Sequence, residues 1–408
     1  MRPRSLPIVM LVIAFSACRA PVRLAPLVLP AGVADSVITT AVASGVRLHT
    51  VVNLAAPWRA YVLQAATRCV RLEAVKGKPT AVGRTATSAI LAALPNAATS
   101  EAHAIAAVNA DFFLPNGVPT NAHIENGRLL SGPDRRPVAF SAQDAGGRAQ
   151  RWRFDTLRAE GALVGPKARV ELRAWNRPSA RINGVVDAAW GAPLDSLIRR
   201  RTVKLVPVVP PTHSPGPSLG GRYVVHALSA ADSTARADTL FAHIDAAEHR
   251  EGARVSTGDT VEVSLRVAIG ADNGTGLNAA IDQAVGGRPM LLADSRVLGD
   301  VDTEGNAGFR GLNPRTLMGL DQRASTVWLV VVDGRRPGHS VGMTLRQSAE
   351  LLRALGATKG LNLDGGGSSA LAWRYPAASD VRVANRPSDP MERPVANALA
   401  VYSTCRER

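Results

Sequence analysis

Aromatic residues are scarce in this chain: four Tyr, six Trp and seven Phe among 408 residues. That scarcity bears on the charge. Lys and Arg number 48 against 33 Asp and Glu, a net charge of +15, an excess that would suit nucleic acid, anionic glycans or phosphorylated substrates. The arginines are scattered, however, and no block interleaves Lys or Arg with aromatic residues, which argues against a nucleic-acid face. Cysteine is equally sparse. There are three, with no C-x-x-C pair and no zinc-ligand spacing, so neither a zinc module nor a disulfide-dense scaffold is expected. No apolar run is long enough to span a bilayer. Internal repeats are absent, and the length allows one large domain or two ordinary ones.

What is present begins with an export signal. "MRPRSLPIVMLVIAFSACRA" has Arg2 and Arg4, an apolar run ending at Phe15, and small residues before Cys18. The small residues resemble a bacterial lipobox, which would leave Cys18 as a lipidation site after cleavage at residue 17. An ordinary signal-peptidase cut nearby is the alternative. Either route places the protein outside the cytoplasm, in the cell envelope, the periplasm or secreted. In that oxidising setting Cys69 and Cys405 would either pair, stapling an early strand to the last one, or stand as two buried thiols.

Residues 18–45 read as a Pro/Ala-rich tether, 46–95 as a small N-terminal β extension, and 96–405 as one large domain. Short strands separated by Gly, Pro and Asp turns dominate residues 120–270, and "VPVVPPTHSPGPSLGG" reads as a Pro/Gly-rich loop. The most regular stretch comes later. "STVWLVVV" is a buried strand ending at Asp333. "TLRQSAELLRALG" is an amphipathic helix with Thr344 and Gln347 in capping-box spacing and Gly356 at its end. "GLNL" begins a second strand ending at Asp364. Strand, helix, strand reads as a C-terminal βαβ unit with parallel strands. The expected fold class is therefore α+β, largely β-rich with a mixed sheet.

Parallel strands place Asp333 and Asp364 on one edge of the sheet, where ligands of open α/β sheets bind. Their backbones would stand about 5 Å apart as neighbours, or about 10 Å with one strand between. Both spacings fall in the range that paired glycosidase carboxylates use, roughly 5–9.5 Å. After Asp364 comes "DGGGSS", in which Gly365, Gly366 and Gly367 could point several N–H groups into one anion-binding concavity, with Ser368 and Ser369 adding hydroxyls. A tight turn is the plainer reading. Asn109 and Asp111 end an apolar strand in "VNADFF", Arg315 precedes another in "NPRTLMGLD", and Asn385 and Arg393 precede the last. Arginine suits bidentate contact with phosphate.

Three patterns imitate other chemistries. "GHSVG" matches a serine nucleophile elbow, but Ser340 lies seven residues past the strand rather than at a strand-to-helix turn. "GTGLNA" imitates a dinucleotide loop, yet it is separated from the preceding strand by "ADN". His243, Asp245, Glu248 and His249 suggest a metal site, but they fall in "FAHIDAAEHREG", a solvated polar stretch that reads as surface.

Taken in order, "VNADFF", "GGRPMLL", "NPRTLMGLD", "VVDGRRPGHSVGMTLRQSAELLRALGATKGLNLDGGGSSALAW" and "NRPSDPMERPVANALAVY" resemble the phosphodiester glycosidase family over about residues 96–403. The resemblance implies an α+β catalytic domain that hydrolyses the C1–O bond of a sugar-1-phosphodiester, with an N-acetylglucosamine-like or other bacterial glycan as substrate. Carried over by position, it marks Asn109, Arg315, Asp333, Arg335, Asn362, Asp364, Ser368, Ser369 and Arg393; Asp111 stands where many members have Gly or Ala. Asp364 is expected as nucleophile or base, Asp333 as its partner carboxylate, and Asn109 as a third member of the site. Arg315, Arg335, Asn362, Arg393, Asp111 and the Gly365–Ser369 stretch would bind substrate and phosphate. No cofactor is required; Ca²⁺ near the aspartates is conceivable without support from the residues. A surface glycan-binding lipoprotein without turnover, a phosphodiesterase, or a serine hydrolase using Ser340 are the alternatives.

Overall fold

The structure, a computed structural model, describes residues 24–95, 103–143, 150–179, 181–209, 217–236, 238–244, 255–270, 281–375 and 380–405. The expected signal peptide, Cys18, the "GTGLNA" stretch and Asp245, Glu248 and His249 lie outside them. No helix among the described residues is long and apolar enough to cross a membrane.

The site is carried by six elements: β1 (His103–Asn109), β2 (Arg315–Leu320), β3 (Thr326–Val332), α1 (Leu345–Ala354), β4 (Lys359–Asn362) and β5 (Ala398–Ser403). β3, β2 and β4 are consecutive in an eight-stranded sheet. β2 pairs antiparallel with both neighbours, so β3 and β4 run in the same direction with one strand between them. This is why parallel strands joined by a helix sit in a sheet whose adjacent strands are all antiparallel. Among the described residues the parallel pairing that makes the fold mixed is elsewhere, between Ala174–Trp175 and Gly184–Val186 in a twelve-stranded sheet.

Alternation along β3 explains the layering. Val327, Leu329 and Val331 face one side and Trp328, Val330 and Val332 the other, as a period of two requires. The second set packs beneath α1, whose Leu345, Ala349 and Leu352 are buried there. The Thr344 hydroxyl accepts from the Gln347 N–H and the Gln347 side chain accepts from the Thr344 N–H, which makes the capping box read from the sequence. The first set packs on a five-stranded sheet through Ile105, Val108, Leu399 and Val401 of β1 and β5.

The strands expected to form an N-terminal extension are built into these two sheets. Trp58–Ala66 pairs with β3, and Val70–Val75 pairs with β5. A Cys69–Cys405 disulfide links the segments at the end of that second pairing.

Candidate active site

The C-terminal ends of β3 and β4 meet at one edge. The register sets Arg315 opposite Val332, and Leu317 opposite Asn362, so both aspartates emerge beside the start of β2. A backbone spacing of about 10 Å follows from the intervening strand.

Asp333 is buried and fully engaged. Its Oδ2 lies 2.7 Å from His339 Nε2, its Oδ1 accepts from Asn385 Nδ2 at 3.1 Å, and the Arg386 N–H donates to both oxygens. Burial, and then the Asp333 charge, push the Tyr61 hydroxyl up to about 12. Asp333 therefore organises the 385–386 loop and His339 rather than presenting a free carboxylate. Ser340 is engaged as well: its hydroxyl donates to the Asp333 carbonyl at 2.6 Å and accepts from the Arg59 N–H at 3.1 Å. A buried serine with its proton given to a carbonyl is poorly placed as a nucleophile.

Asp364 has a different setting. It is partly buried, and desolvation raises its carboxyl to about 7 despite the Ser368 hydroxyl, Arg393, the Gly365 N–H and Arg288, all of which favour the anion. Ser368 and Ser369 are buried beside it. The Asp364 N–H donates to the Ala110 carbonyl at 2.8 Å, which brings Asp111 alongside. Asp111 is buried, and desolvation raises it to about 8; the Asn397 amide, the Gly286 N–H and Lys76 oppose this, and the Asp364 charge adds to it. The carboxyl whose ionisation responds to the Asp364 charge is thus Asp111, whereas the sequence pointed to Asp364 with Asp333.

Asn109 does not face the site. Its Nδ2 donates to the Asp364 carbonyl at 2.6 Å, and its Oδ1 accepts from the Thr316 hydroxyl and the Ala370 N–H. It holds the Asp364 backbone in place. Asn362 does comparable work, donating to the Arg288 carbonyl at 2.6 Å.

The glycine stretch departs from the expected anion nest. Gly366–Ser368 is a 3-10 turn, and its flanking amides are spent on the protein: Gly366 N–H on the Pro314 carbonyl, Ser368 N–H on Gly365, Ser369 N–H on Gly366. What the glycines supply is clearance. A Cβ on Gly365 would meet the Pro314 oxygen at 2.7 Å, and one on Gly367 would meet Arg393 Nη2 at 2.2 Å. Gly366, at φ +63°, carries the Arg335 guanidinium 3.3 Å from where its Cβ would be.

The arginines divide by how they are occupied. Arg315 is buried, its Nε on the Met343 carbonyl and its Nη2 on those of Phe309 and Gly311; desolvation lowers it to about 10. It fastens the loop around Phe309 more than it offers a phosphate contact. Arg335 is exposed, and its guanidinium donates to the neutral Asn313 side chain. Arg393 is held by Asp389 at 2.7 Å, and Arg288 by Glu304 at 3.2 Å. Arg288 also stands over the Phe112 and Phe309 rings, at 5.2 and 5.7 Å. It was not singled out from the sequence, although "GGRPMLL" carried it; nor were His339, His123 and Asn397. Among the described residues no group of three or more His, Cys, Asp or Glu has metal-binding geometry.

Two desolvated aspartates, with Arg393 and Arg288 acting on one of them, mark this edge of the sheet. Residues 221–402 match the model of the phosphodiester glycosidase family, so the resemblance read from the motifs is shown over the stretch holding Arg288, Arg315, Asp333, Arg335, Asp364 and Arg393. Two solved structures share the fold. A hypothetical protein from Synechocystis aligns at 21% identity and TM-score 0.66 over 91% of this chain and 64% of its own, so this chain spans less than two thirds of that relative. A presumptive exported protein from Burkholderia pseudomallei K96243 aligns at 22% identity and TM-score 0.61, over 85% and 74%. The catalytic domain of zebrafish N-acetylglucosamine-1-phosphodiester alpha-N-acetylglucosaminidase, auto-inhibited by its pro-peptide, is more remote, at 12% identity and TM-score 0.40 over 90% and 84%. No curated protein matches the chain.

Proposed function

We propose that this protein is an extracytoplasmic phosphodiester glycosidase, breaking the bond between C1 of a sugar and the phosphate oxygen of a sugar-1-phosphodiester. The observation that carries the reading is the bond from the Asp364 N–H to the Ala110 carbonyl at 2.8 Å, which joins the strand ends bearing Asp364 and Asp111; burial shifts both carboxyls toward neutrality, and Arg393 and Arg288 act on Asp364. Two carboxyls whose ionisation is set apart by their surroundings can divide acid and base work.

In this reading Asp364 ionises first. It acts at C1 as nucleophile or as base for water, while Asp111 keeps its proton. Cleavage sends the C1–O bonding electrons to the phosphate, which departs as a monoester. Arg335, Arg393 and Arg288 stabilise that charge as it develops. Because a phosphate is already a good leaving group, little protonation of the bridging oxygen is needed. Asp333 and Asn109 act as positioning residues, and no metal is assigned a role. The sugar is an N-acetylglucosamine-like or other bacterial glycan unit.

The test is hydrolysis of a panel of sugar-1-phosphodiesters and nucleotide-sugars in ¹⁸O-labelled water, with and without a chelator. The expected result is free reducing sugar carrying the label at C1, at rates indifferent to chelation. Label in the phosphate would identify a phosphodiesterase instead. Binding without release across the panel would leave a glycan-binding module.

A further inference from the structure

We propose that Asn397 and His123 are positioning residues for this site, holding Asp111 so that a proton on its carboxyl can be donated only toward Asp364 and the substrate. The inference rests on the glycosidase reading and deepens it. Its basis is the hydrogen-bond accounting of a buried chain.

Asn397 is fully buried beside β5, and its carbonyl accepts from the Asp111 N–H at 2.9 Å. That contact fixes which end of the amide is which. The two hydrogens on Nδ2 are then both assigned, one to Asp111 Oδ2 and one to His123 Nδ1, each at 2.7 Å. His123 Nδ1 must therefore be the acceptor, and the ring proton sits on Nε2, 2.9 Å from Glu125 Oε1. A second ring proton would point at the Asn397 N–H, and burial further disfavours the cation. Glu125 is held in turn by the Lys76 N–H.

The consequence falls on Asp111. Its Oδ1 accepts from the Gly286 N–H at 2.8 Å and its Oδ2 from Asn397, so both protein contacts of the carboxyl are donors. Among the described residues, neither of these contacts accepts a carboxyl proton. The charged and titratable groups around Asp111 are Lys76, whose Nζ is spent on the carbonyls of Gly83, Gly117 and Ala396, and Asp364, with Glu125 behind His123. Of these, Asp364 is the carboxylate whose charge acts on Asp111, and its backbone N–H is bonded to the Ala110 carbonyl next to it. A chain of this kind can also be simple stitching, because it joins the strand His123–Glu125 of the twelve-stranded sheet to the end of the five-stranded one. The experiment has to separate the two.

Three variants of the full chain do so. Asn397→Asp keeps the acceptor for the Asp111 N–H but turns the Nδ2 position into an acceptor, giving the Asp111 proton an inward partner. His123→Gln keeps an acceptor toward Asn397 and a donor toward Glu125 without titrating; His123→Leu removes both. The expected result is a kcat loss of about tenfold or more in Asn397→Asp and His123→Leu with KM changed by less than about threefold. The alkaline limb of kcat should move by about one pH unit or more in Asn397→Asp, and His123→Gln should restore kcat to within about threefold of the parent. An unchanged pH profile in Asn397→Asp, or failure of His123→Gln to rescue while the melting temperature is restored, overturns the proposal. A ¹³C titration of the Asp111 carboxyl in parent and Asn397→Asp reads the same contact without turnover. A shifted titration in a protein that releases no sugar would refute the glycosidase reading and leave the placement of Asp111 standing. An unshifted one would refute the placement whatever the activity.

Discussion

Replacing Asp364 by asparagine should stabilise the protein while stopping its chemistry, and the size of the effect can be worked from the site. The folded carboxyl sits at about 7 against an ordinary value of 3.8. Three units at 1.36 kcal/mol each give roughly 4 kcal/mol as the greatest cost of ionising it in the fold. Arg288 and Arg393, which favour the anion, lose a partner in Asp364→Asn, so about 2 kcal/mol is the realistic gain. The sign follows from linkage. A carboxyl raised on folding contributes its full stability below 3.8 and loses it as pH rises through 7. The two proteins should therefore melt together near pH 4, diverge through pH 5 and 6, and keep a constant gap of a few degrees above pH 7. Thermal and denaturant unfolding across that range would measure it, alongside turnover reduced about a hundredfold or more. Parallel melting curves at every pH would refute the desolvation argument, and retained turnover would remove Asp364 from the chemistry. Asp111→Asn is the contrasting control. Its amide would meet donors on both sides, from Gly286 and Asn397, and so should cost about 1–3 kcal/mol rather than stabilise.

Ser340→Ala should cost about 1–2 kcal/mol, because its hydroxyl bridges Asp333 and Arg59, yet leave turnover within a few fold. Lost turnover in a folded variant would restore the serine-hydrolase reading. Gly367→Ala puts a Cβ 2.2 Å from Arg393 Nη2 and 2.3 Å from Asp389 Oδ2, so it should displace that pair and raise KM for a phosphodiester about tenfold. An unchanged KM would deny Arg393 a phosphate contact. Removing the disulfide with Cys69→Ser and Cys405→Ser should lower stability by about 2–5 kcal/mol, measured by denaturant unfolding with and without reductant; equal curves would show that the crosslink does not constrain the unfolded chain.

Local patterns carried much of this architecture into view. Alternation in β3, the Thr344–Gln347 capping box and the apolar face of α1 are all short-range features, and each appears as read. From them came the shared edge of Asp333 and Asp364. The strand between β3 and β4 was not legible, because β2 precedes both in the chain and nothing local to β3 or β4 records which strand lies beside them. The same limit hid the role of the N-terminal strands: Trp58–Ala66 pairs with β3, which lies more than 250 residues further on.

Residue chemistry was legible only as far as its partners are near in sequence. An aspartate at a strand end reads alike whether its oxygens are free or consumed. Asp333 is consumed by His339, Asn385 and Arg386, while Asp364 answers to Ser368 and Gly365 of its own turn and to Arg393 and Arg288; two of the three Asp333 partners come from a loop some fifty residues away. The glycines show the same ambiguity from the other side. Consecutive glycines serve equally to expose amides to an anion or to admit bulky neighbours, and what decides is who stands opposite. Here those neighbours are Pro314, Arg335, Asp389 and Arg393. The amides at either end of the turn are turned inward to make the 3-10 geometry, and the positive charge near Asp364 comes from side chains admitted by the missing Cβ atoms. Where those charges stand is set in turn by Asn313, which accepts from Arg335, and by Asp389, which pairs with Arg393, so the placement of charge at this turn depends on residues distant in sequence as much as on the glycines.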